Sequence, residues 1–447
     1  VSGAMSHKVF KAYKIDHMRF QCQPVYTNTE IAGAMRGYGS PQVYFGWQRQ
    51  MQKIADFLHM DMADLQMKNM VDPDSCDPIF HKPHGNSRPK DCLKRALELI
   101  DYEACLKEQE ATRNQDIRIG VGLALGVHGN NCVGAHRDVS TPMLKMNEDG
   151  SCIYYTGSHD MGTDTLGMQM QIVSEVLGIS MDRIECIQAD TDATMYDLGN
   201  YSSRGTYVSC NAAVKAAGKI RQELLKEAAQ LLEEEQQNLE LKDNGVCVRN
   251  NPEKKASLEE VITHARKVNQ RDICCADTFA SYALAMSYGA HFVKVSVDTR
   301  TGGVKVLEYT AVHDVGKALN PMSVEGQIEG AVQMGLGYAL SEGIIIDRGG
   351  KVKNTTFKQY HIMNAGEMPP IKVGLVEETE PTGPYGAKSI GECSVVPSAG
   401  AIANAVANAI GCEVHRLPLK PDTVLELLAR ENETCLLYTS PSPRDVE

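Results

Sequence analysis

Apolar residues recur at helical spacing in several separate stretches of the chain. This spacing predicts helices over residues 41–58, 61–71, 93–107, 166–177 and 214–232, and a helix of small residues over 399–410. Gly178 follows the fourth of these stretches, and a glycine in that place is typical of a helix C-terminus. Residues 72–91 are rich in Pro, Asp, Asn and His, so we predict a long irregular connection there.

Strands are predicted where apolar and polar residues alternate. Residues 143–147 and 152–155 flank Glu148-Asp149-Gly150, which is typical of a β-hairpin. A second hairpin is predicted from the alternation over 293–297 and 304–306. The polar run over 233–250 reads as a surface excursion. Because helices and hairpins interleave, the sequence predicts an α+β fold with mixed sheets.

The chain has 447 residues, which predicts more than one domain. A new glycine-rich section opens at Gly120, so we expect residues 1–115 and 116–433 to form two parts. Residues 434–447 resemble a translated sequencing adapter and are expected to be non-native. Because the first residue is Val1 and not a methionine, we also expect a piece of a longer protein that lacks its N-terminal part.

Composition excludes some classes of function. The formal net charge is -12, which disfavours a nucleic-acid binder. No apolar run approaches the length of a membrane span, so no membrane contact is expected. The 14 cysteines are irregularly spaced and lack the patterns of zinc or iron–sulfur sites. Reduced thiols in a cytoplasmic protein are therefore the expectation.

The most suggestive single residue is Glu392, in the glycine-rich stretch Gly383–Cys393. Backbone without Cβ atoms allows a bulky ligand to approach closely, and an acid held there can act as a general base. A solvated glutamate in a flexible turn is the other interpretation, and the stretch by itself does not decide between them.

A second glycine-bearing loop, Gly157–Thr165, leads into a predicted helix. Free backbone N–H groups at a helix N-terminus suit an anionic or highly polar ligand. A helix simply capped by Thr163 or Asp164 is the alternative. The glycines Gly120, Gly122 and Gly126 lack the surrounding unit of a dinucleotide site, so we interpret them as strand and turn glycines.

Several separated motifs, taken in order, resemble the xanthine dehydrogenase and aldehyde oxidase family. They lie at residues 34–42, 157–165, 190–192, 199–207, 287–291, 313–316, 326–330 and 391–392. Each motif is weak alone, but their order and spacing match from about residue 8 to about residue 430.

The resemblance implies the molybdopterin-binding lobes of a molybdenum hydroxylase subunit. It implies a cofactor of molybdenum and molybdopterin, in plain form or as the cytosine dinucleotide, with 2Fe-2S and FAD on partner subunits of a hetero-oligomer. The expected reaction is hydroxylation of a purine or related N-heteroaromatic with oxygen from water. An aldehyde oxidoreductase, a 4-hydroxybenzoyl-CoA reductase-like subunit and a cofactor-less relic are the alternatives.

The resemblance also implies roles for particular residues. Glu392 matches the catalytic glutamate, which takes a proton from a metal-bound hydroxide. Tyr38 matches an aromatic residue that stacks on substrate, although ordinary core packing is an equal interpretation. Cofactor contacts are implied for Arg36, Gly162, Thr163, Ser203, Arg204, Gly205, Gln327 and Lys388. Arg36 and Arg204 are expected near the metal without binding it directly.

Three features depart from the family pattern or invite another reading. Thr163 and Met334 stand where relatives carry glutamine, and Ser203-Arg204 replaces a run of small residues. These departures weaken a prediction of substrate more than one of cofactor. His159, His291 and His313 lack the paired spacing of metal ligands, so they are predicted to be hydrogen-bonded core residues.

Overall fold

The computed structural model describes residues 2–29, 33–73, 75–132 and 136–438, with side chains up to residue 430. Within these residues the helices are α1 (Ser2–Val9), α2 (Ser40–Leu58), α3 (Met62–Asn69), α4 (Pro89–Ile100), α5 (Tyr102–Thr112), α6 (Thr165–Leu177), α7 (Cys210–Leu232), α8 (Leu258–Lys267), α9 (Pro321–Leu336), α10 (Ser398–Ile410) and α11 (Pro421–Tyr438).

The strands of the same ranges are β1 (Ile117–Gly129), β2 (Asp138–Ser140), β3 (Met143–Met146), β4 (Cys152–Thr156), β5 (Ile184–Gln188), β6 (Leu239–Lys242), β7 (Gly245–Val248), β8 (Asn251–Ser257), β9 (Cys274–Ala276), β10 (Phe279–Ser281), β11 (Met286–Asp298), β12 (Gly303–Asp314) and β13 (Ile371–Val376). The predicted α+β class and both predicted hairpins, β3–β4 and β11–β12, are confirmed.

The largest sheets have mixed strand directions. One sheet has the order β1-β11-β12-β13, in which only the β12–β13 pair is parallel. A second sheet has the order β5-β4-β3-β9, with a parallel β4–β5 pair. Helices α6, α7 and α8 cover the second sheet and share one apolar core with it.

The packing of strand β1 explains why its sequence contains Gly120, Gly122 and Gly126. Its odd positions, such as Val121 and Leu123, face the core shared with α2, α4 and α5. Its even positions face α10, and a Cβ on Gly120 or Gly122 would lie 2.0 or 2.1 Å from a carbonyl oxygen of that helix. These glycines therefore allow α10 to lie directly on the strand, as expected for strand glycines.

The helices before residue 115 pack on the first sheet and share its core. Tyr44 and Leu93 belong to the same apolar cluster as Tyr288 and Phe292 of β11. Residues on both sides of the predicted boundary therefore meet in one core, and the division into 1–115 and 116–433 stays a prediction.

Two sequence-based expectations about secondary structure are wrong in detail. The helix predicted over 93–107 is two helices, because Asp101 adopts a left-handed conformation (φ 52°) and its side chain caps α5 at Ala104. The run over 233–250 is not a simple excursion, since it contributes β6 and β7 to a three-stranded sheet. Asn244-Gly245 is a turn signal that indicates this hairpin.

The C-terminal helix begins with residues of the expected fold and continues into the predicted non-native tail. Helix α11 extends to Tyr438, whereas residues 439–447 lie outside the described residues. Cys393–Ile410 is long and apolar enough to cross a membrane, contrary to the expectation that no such run exists, but 94% of it is buried. It is therefore placed as a core helix in this structure.

Candidate active site

The Glu392 loop lies where β1, β11 and α10 meet. Ser389 donates its backbone N–H to Oδ1 of Asn130 at 2.7 Å, just after β1. Ser287 of β11 donates its hydroxyl to the Ser389 carbonyl at 2.7 Å. Since the glycines of β1 let α10 lie against the strand, the loop that precedes α10 is held at the strand ends. This packing positions Glu392.

The Glu392 carboxylate accepts hydrogen bonds from two distant segments. The Gly37 N–H donates to Oε1 at 3.1 Å, and Ser203 Oγ donates to Oε2 at 3.0 Å. The Glu392 N–H in turn donates to Ser203 Oγ at 3.2 Å. The side chain remains 16% exposed, so the carboxylate is held in place but still reachable. Glu392 is thus not a solvated residue of a free turn.

The two donor segments have backbone conformations that suit this task. Gly37 has φ 84°, and a Cβ there would lie 2.9 Å from Pro41, so glycine is required for the turn that presents its N–H. Ser202 and Ser203 have φ of 56° and 53°, which is uncommon for serine. The Ser202 hydroxyl donates to the Asn131 carbonyl at 3.1 Å, which anchors this turn.

Arg36 joins the Glu392 loop to two other predicted motifs. Its guanidinium donates to the Gly391 carbonyl, to the carbonyl and Oε1 of Gln327 at 3.1 Å, and to Ser394 Oγ at 3.0 Å. Gln327 Nε2 donates to the Gly162 carbonyl at 3.0 Å. The structure therefore brings Arg36, Gln327, Gly162 and Glu392 together, as the motif set predicted.

The Gly162 loop borders open space at the start of α6. Gly162 has φ 91°, and a Cβ built there or on Gly391 would meet no atom within 4 Å. Thr163 shares a hydrogen bond of 2.8 Å with the hydroxyl of Thr165 at the first residue of α6. Gly205 packs against Thr165 behind this loop, since a Cβ there would lie 2.9 Å from its Cγ2.

Two predicted cofactor contacts are placed elsewhere. Arg204 is fully buried and donates to Asp138, Asp197 and nearby carbonyls, so its charge is used inside the fold. Lys388 pairs with Asp314 at 2.7 Å, with both side chains fully buried. We therefore assign both residues to support of the loops. Asp138 and Asp314 are distant in sequence from Arg204 and Lys388, so local spacing does not reveal these two partners.

Tyr38 lies beside the site in the turn that contains Gly37. It is 36% exposed, so it is not an ordinary core residue. Its carbonyl accepts a hydrogen bond from Lys8 Nζ at 2.7 Å. The predicted stacking on substrate stays a prediction.

Sequence reasoning missed two residues next to Glu392. His128, at the end of β1, has Nε2 3.6 Å from Glu392 Oε2. Lys8 Nζ lies 2.7 Å from that same Nε2. A lone histidine in a glycine-rich strand and a lysine 120 residues away share no local signal. Only the approach of β1 to the Glu392 loop reveals them.

The pKa of Glu392 is lowered from its ordinary value. Burial raises the pKa, but the charge that His128 carries when protonated, the charge of Lys8 and the hydrogen bonds from Ser203 and Gly37 together lower it by more. Burial lowers the pKa of His128 to about 4 and that of Lys8 to about 8. The site at neutral pH therefore holds an ionised carboxylate beside a neutral imidazole.

The other histidines do not form a metal site. His291 and His313 are buried and share a hydrogen bond of 2.8 Å, as predicted for core residues. His159 is exposed, so its prediction as a core residue is wrong. Among the residues that the structure describes, no group of three or more His, Cys, Asp or Glu could hold a metal ion.

Family models described as molybdopterin cofactor-binding domain match residues 1–70 and 95–369. The chain belongs to this family. It is 30% identical over 433 residues to the xanthine dehydrogenase molybdenum-binding subunit of Escherichia coli, covering 95% of the chain and 57% of that protein. It is 28% identical to the gamma subunit of the 6-hydroxypseudooxynicotine dehydrogenase complex of Paenarthrobacter nicotinovorans, covering 95% and 55%. The chain thus spans little more than half the length of these relatives.

Solved structures show the same fold. Quinoline 2-oxidoreductase from Pseudomonas putida matches with a TM-score of 0.82 and 22% identity, over 89% of this chain and 53% of that one. Aldehyde oxidoreductase from Desulfovibrio gigas matches with a TM-score of 0.73 and 25% identity, over 89% and 42%.

The residues at the opening fit a molybdopterin cofactor. Gly162 and Gly391 leave room for a bulky group, and neither carries a side chain that would fill the space.

Proposed function

We propose that this chain is the molybdenum-binding part of a hydroxylase that oxidises a purine or a related N-heteroaromatic compound. The observation that carries the proposal is the Glu392 carboxylate, which is held by Gly37 and Ser203 at an opening lined by glycines. An ionised carboxylate with a lowered pKa, fixed in orientation and reachable from outside, suits a general base.

Glu392 would accept the proton of the water-derived nucleophile while that oxygen attacks an electron-poor ring carbon. The Gly37 N–H and Ser203 hydroxyl hold the two carboxylate oxygens, so the base needs little reorganisation before proton transfer. Tyr38, on the same turn as Gly37, is proposed to stack on the substrate ring. The 30% identity to a xanthine dehydrogenase subunit supports a purine substrate.

The proposed cofactor is molybdopterin carrying molybdenum, which supplies two-electron redox chemistry when bound. Gly162 and Thr163 would contact it from the α6 loop, and Gln327 and Arg36 would hold its other side. Ser203 would act through Glu392, with Gly205 supporting the loop. The plain and cytosine dinucleotide forms are separated by mass spectrometry of the extracted cofactor.

We further propose that electrons leave through 2Fe-2S and FAD groups on partner subunits of a cytoplasmic hetero-oligomer. The names of two relatives support an assembly of several subunits, because each name designates one subunit of a larger enzyme. The described cysteines are all free, which fits a reducing compartment.

An aldehyde substrate is the second candidate. The 25% identity to an aldehyde oxidoreductase favours it. The Ser203-Arg204 departure from the family pattern is accounted for by local structure. Ser203 binds Glu392 and Arg204 fills a buried ion pair, so neither residue needs a special substrate to explain it.

The test compares the whole assembled enzyme with its Glu392→Gln variant. We expect retained molybdenum, unchanged thermal stability to within a few degrees, and a loss in kcat of about 10²–10⁴-fold. Glu98→Gln, in an exposed ion pair with Arg95 on α4, is the matched control and should keep full activity. Turnover unchanged in Glu392→Gln would refute the assigned base.

Substrate class is tested with the wild-type enzyme on purines, aldehydes and aroyl thioesters. Turnover of purines is the expected result. Activity confined to aldehydes would replace the proposal with the second candidate. Wild-type protein that assembles without molybdenum would favour the alternative of a non-catalytic relic that has lost its cofactor.

A further inference from the structure

His128 and Lys8 form a chain of contacts that ends at the proposed base. His128 Nε2 lies 2.7 Å from Lys8 Nζ and 3.6 Å from Glu392 Oε2. The imidazole is 1% exposed, so these contacts are made within the fold. Lys8 lies near the end of α1 and His128 near the end of β1, so two elements meet at the carboxylate.

The tautomer of His128 follows from its partners. Nδ1 lies 2.8 Å from the Gly129 carbonyl, which can only accept, so Nδ1 carries the proton. Burial keeps the ring neutral, since the pKa of His128 is lowered to about 4. Nε2 then has a free lone pair and accepts a hydrogen bond from the ammonium group of Lys8.

Lys8 also holds the turn that supplies the other contacts of Glu392. Its ammonium donates to the Tyr38 carbonyl at 2.7 Å, next to Gly37 in the chain. Its own carbonyl accepts a hydrogen bond from Tyr44 Oη of α2 at 3.0 Å. One ammonium group thus connects the Arg36–Gly39 turn to the imidazole that faces Glu392.

We propose that Lys8 and His128 are positioning residues that keep Glu392 ionised and oriented. Lys8 supplies a positive charge near the carboxylate, and His128, with its fixed tautomer, holds that charge in place. This inference rests on the proposed function, in which Glu392 is the base.

Other charged or titratable groups around Lys8 and Glu392 do not take over this role. Arg36 faces Glu392, but its described bonds go to Gly391, Gln327 and Ser394. Lys11 is paired with Asp77. The pKa values of the Cys132 and Cys393 thiols are raised, chiefly by burial, so both stay uncharged at neutral pH. Lys8 is therefore the cation whose removal tests the contact chain through His128, whereas Arg36 is engaged by its bonds to the loop.

The first experiment measures the pH dependence of kcat/KM for the assembled enzyme with Lys8→Met, Lys8→Arg and Lys14→Gln. Without the charge of Lys8 the pKa of Glu392 rises, so the acid limb moves to higher pH. We expect about a tenfold lower relative rate on the acid side in Lys8→Met, with a smaller change on the plateau. Lys8→Arg keeps the charge and should keep the limb. Lys14, an exposed residue paired with Asp72, is the control.

The second experiment observes the ring of His128 directly by 15N NMR of histidine-labelled enzyme. The His128 signals are identified by their loss in His128→Gln. We expect a neutral ring protonated at Nδ1 from pH 6 to 8, and a shift of the Nε2 signal in Lys8→Met. An imidazolium at pH 7, or a proton on Nε2, would overturn the proposed arrangement.

The outcomes separate this inference from the function on which it rests. If Glu392→Gln keeps its turnover, the proposed function itself fails. If Glu392→Gln is inactive while the acid limb of Lys8→Met stays at the wild-type position, only the role of Lys8 and His128 fails. An equal decrease of kcat/KM at all pH values in Lys8→Met would indicate that Lys8 contributes packing alone. That result would also overturn the proposed role of Lys8 and His128.

Discussion

Two buried carboxylates, Glu392 and Asp314, have opposite environments. Asp314 is fully buried and bonds to the ammonium of Lys388 at 2.7 Å and to the Arg88 N–H at 3.1 Å. Glu392 keeps 16% exposure, and Nε2 of His128 lies 3.6 Å from its carboxylate. Burial raises the pKa of Asp314 in spite of Lys388. In Glu392 the combined effect of His128, Lys8 and two hydrogen bonds exceeds that of burial.

The difference separates a carboxylate that holds the fold from one that can do chemistry. A closed ion pair has no access for substrate, and its geometry is fixed by both partners. A carboxylate held by an N–H, a hydroxyl and a more distant charge stays ionised and can still accept a proton. The same glycine-rich stretch contains Lys388 of the closed pair and Glu392 of the open site.

The largest effect that would sharpen this comparison is on stability. Lys388→Met leaves Asp314 buried without its cation, so we expect a loss of about 3–5 kcal/mol in the free energy of unfolding. Urea denaturation followed by circular dichroism measures it. Lys53→Met is the matched control, because the Lys53–Glu413 pair is exposed and should contribute no more than about 1 kcal/mol. Equal effects of the two variants would contradict the distinction.

A smaller effect is expected at Ser203. Ser203→Ala removes one hydrogen bond from Glu392 Oε2, which we expect to cost about 1.5 kcal/mol, or roughly tenfold in kcat/KM. The acid limb should move to higher pH, since this hydrogen bond lowers the pKa of Glu392. Ser202→Ala is the control, because its hydroxyl binds the Asn131 carbonyl instead. A wild-type profile in Ser203→Ala would show that the hydroxyl does not support the base.

The smallest effect is the pH dependence of stability. The folded pKa of Glu392 is lowered, so its contribution is present above the ordinary glutamate pKa and is lost as pH falls through the folded value. The folded pKa of Asp314 is raised, so its contribution is lost as pH rises through the folded value. The stability differences of Glu392→Gln and Asp314→Asn from wild type should therefore slope in opposite directions between pH 3 and 7, which urea midpoints would test. Parallel slopes would contradict the assigned directions.

The local sequence pattern was sufficient to predict an element where residues close together in the chain determine its structure. Helix α2 and the β3–β4 hairpin were predicted from periodicity and turn residues. Gly178 ends α6 in the left-handed conformation that glycine favours. The sheet formed by β6 and β7 was missed although Asn244-Gly245 signals it, because a polar composition outweighed the alternation of its strands.

In the candidate site, the sequence motifs predicted the proximity of some residues but not the burial of others. The ordered motifs brought together Glu392, Arg36, Gln327 and Gly162, since each carries a recognisable signature in the chain. The same motifs misplaced Lys388 and Arg204, whose acidic partners lie elsewhere in sequence. A charged residue inside a motif can point to the opening or into the fold, and sequence spacing is the same in both cases.

The sequence by itself determined the family and the α+β class, and it indicated the glutamate that we propose as the base. It did so because glycine, proline and apolar spacing act over a few residues, and because several motifs occur in a fixed order. Only the tertiary structure decided that Lys8 and His128 stand beside that glutamate. Their approach depends on α10 lying on the glycine face of β1, a contact between segments almost 300 residues apart, which no local pattern encodes.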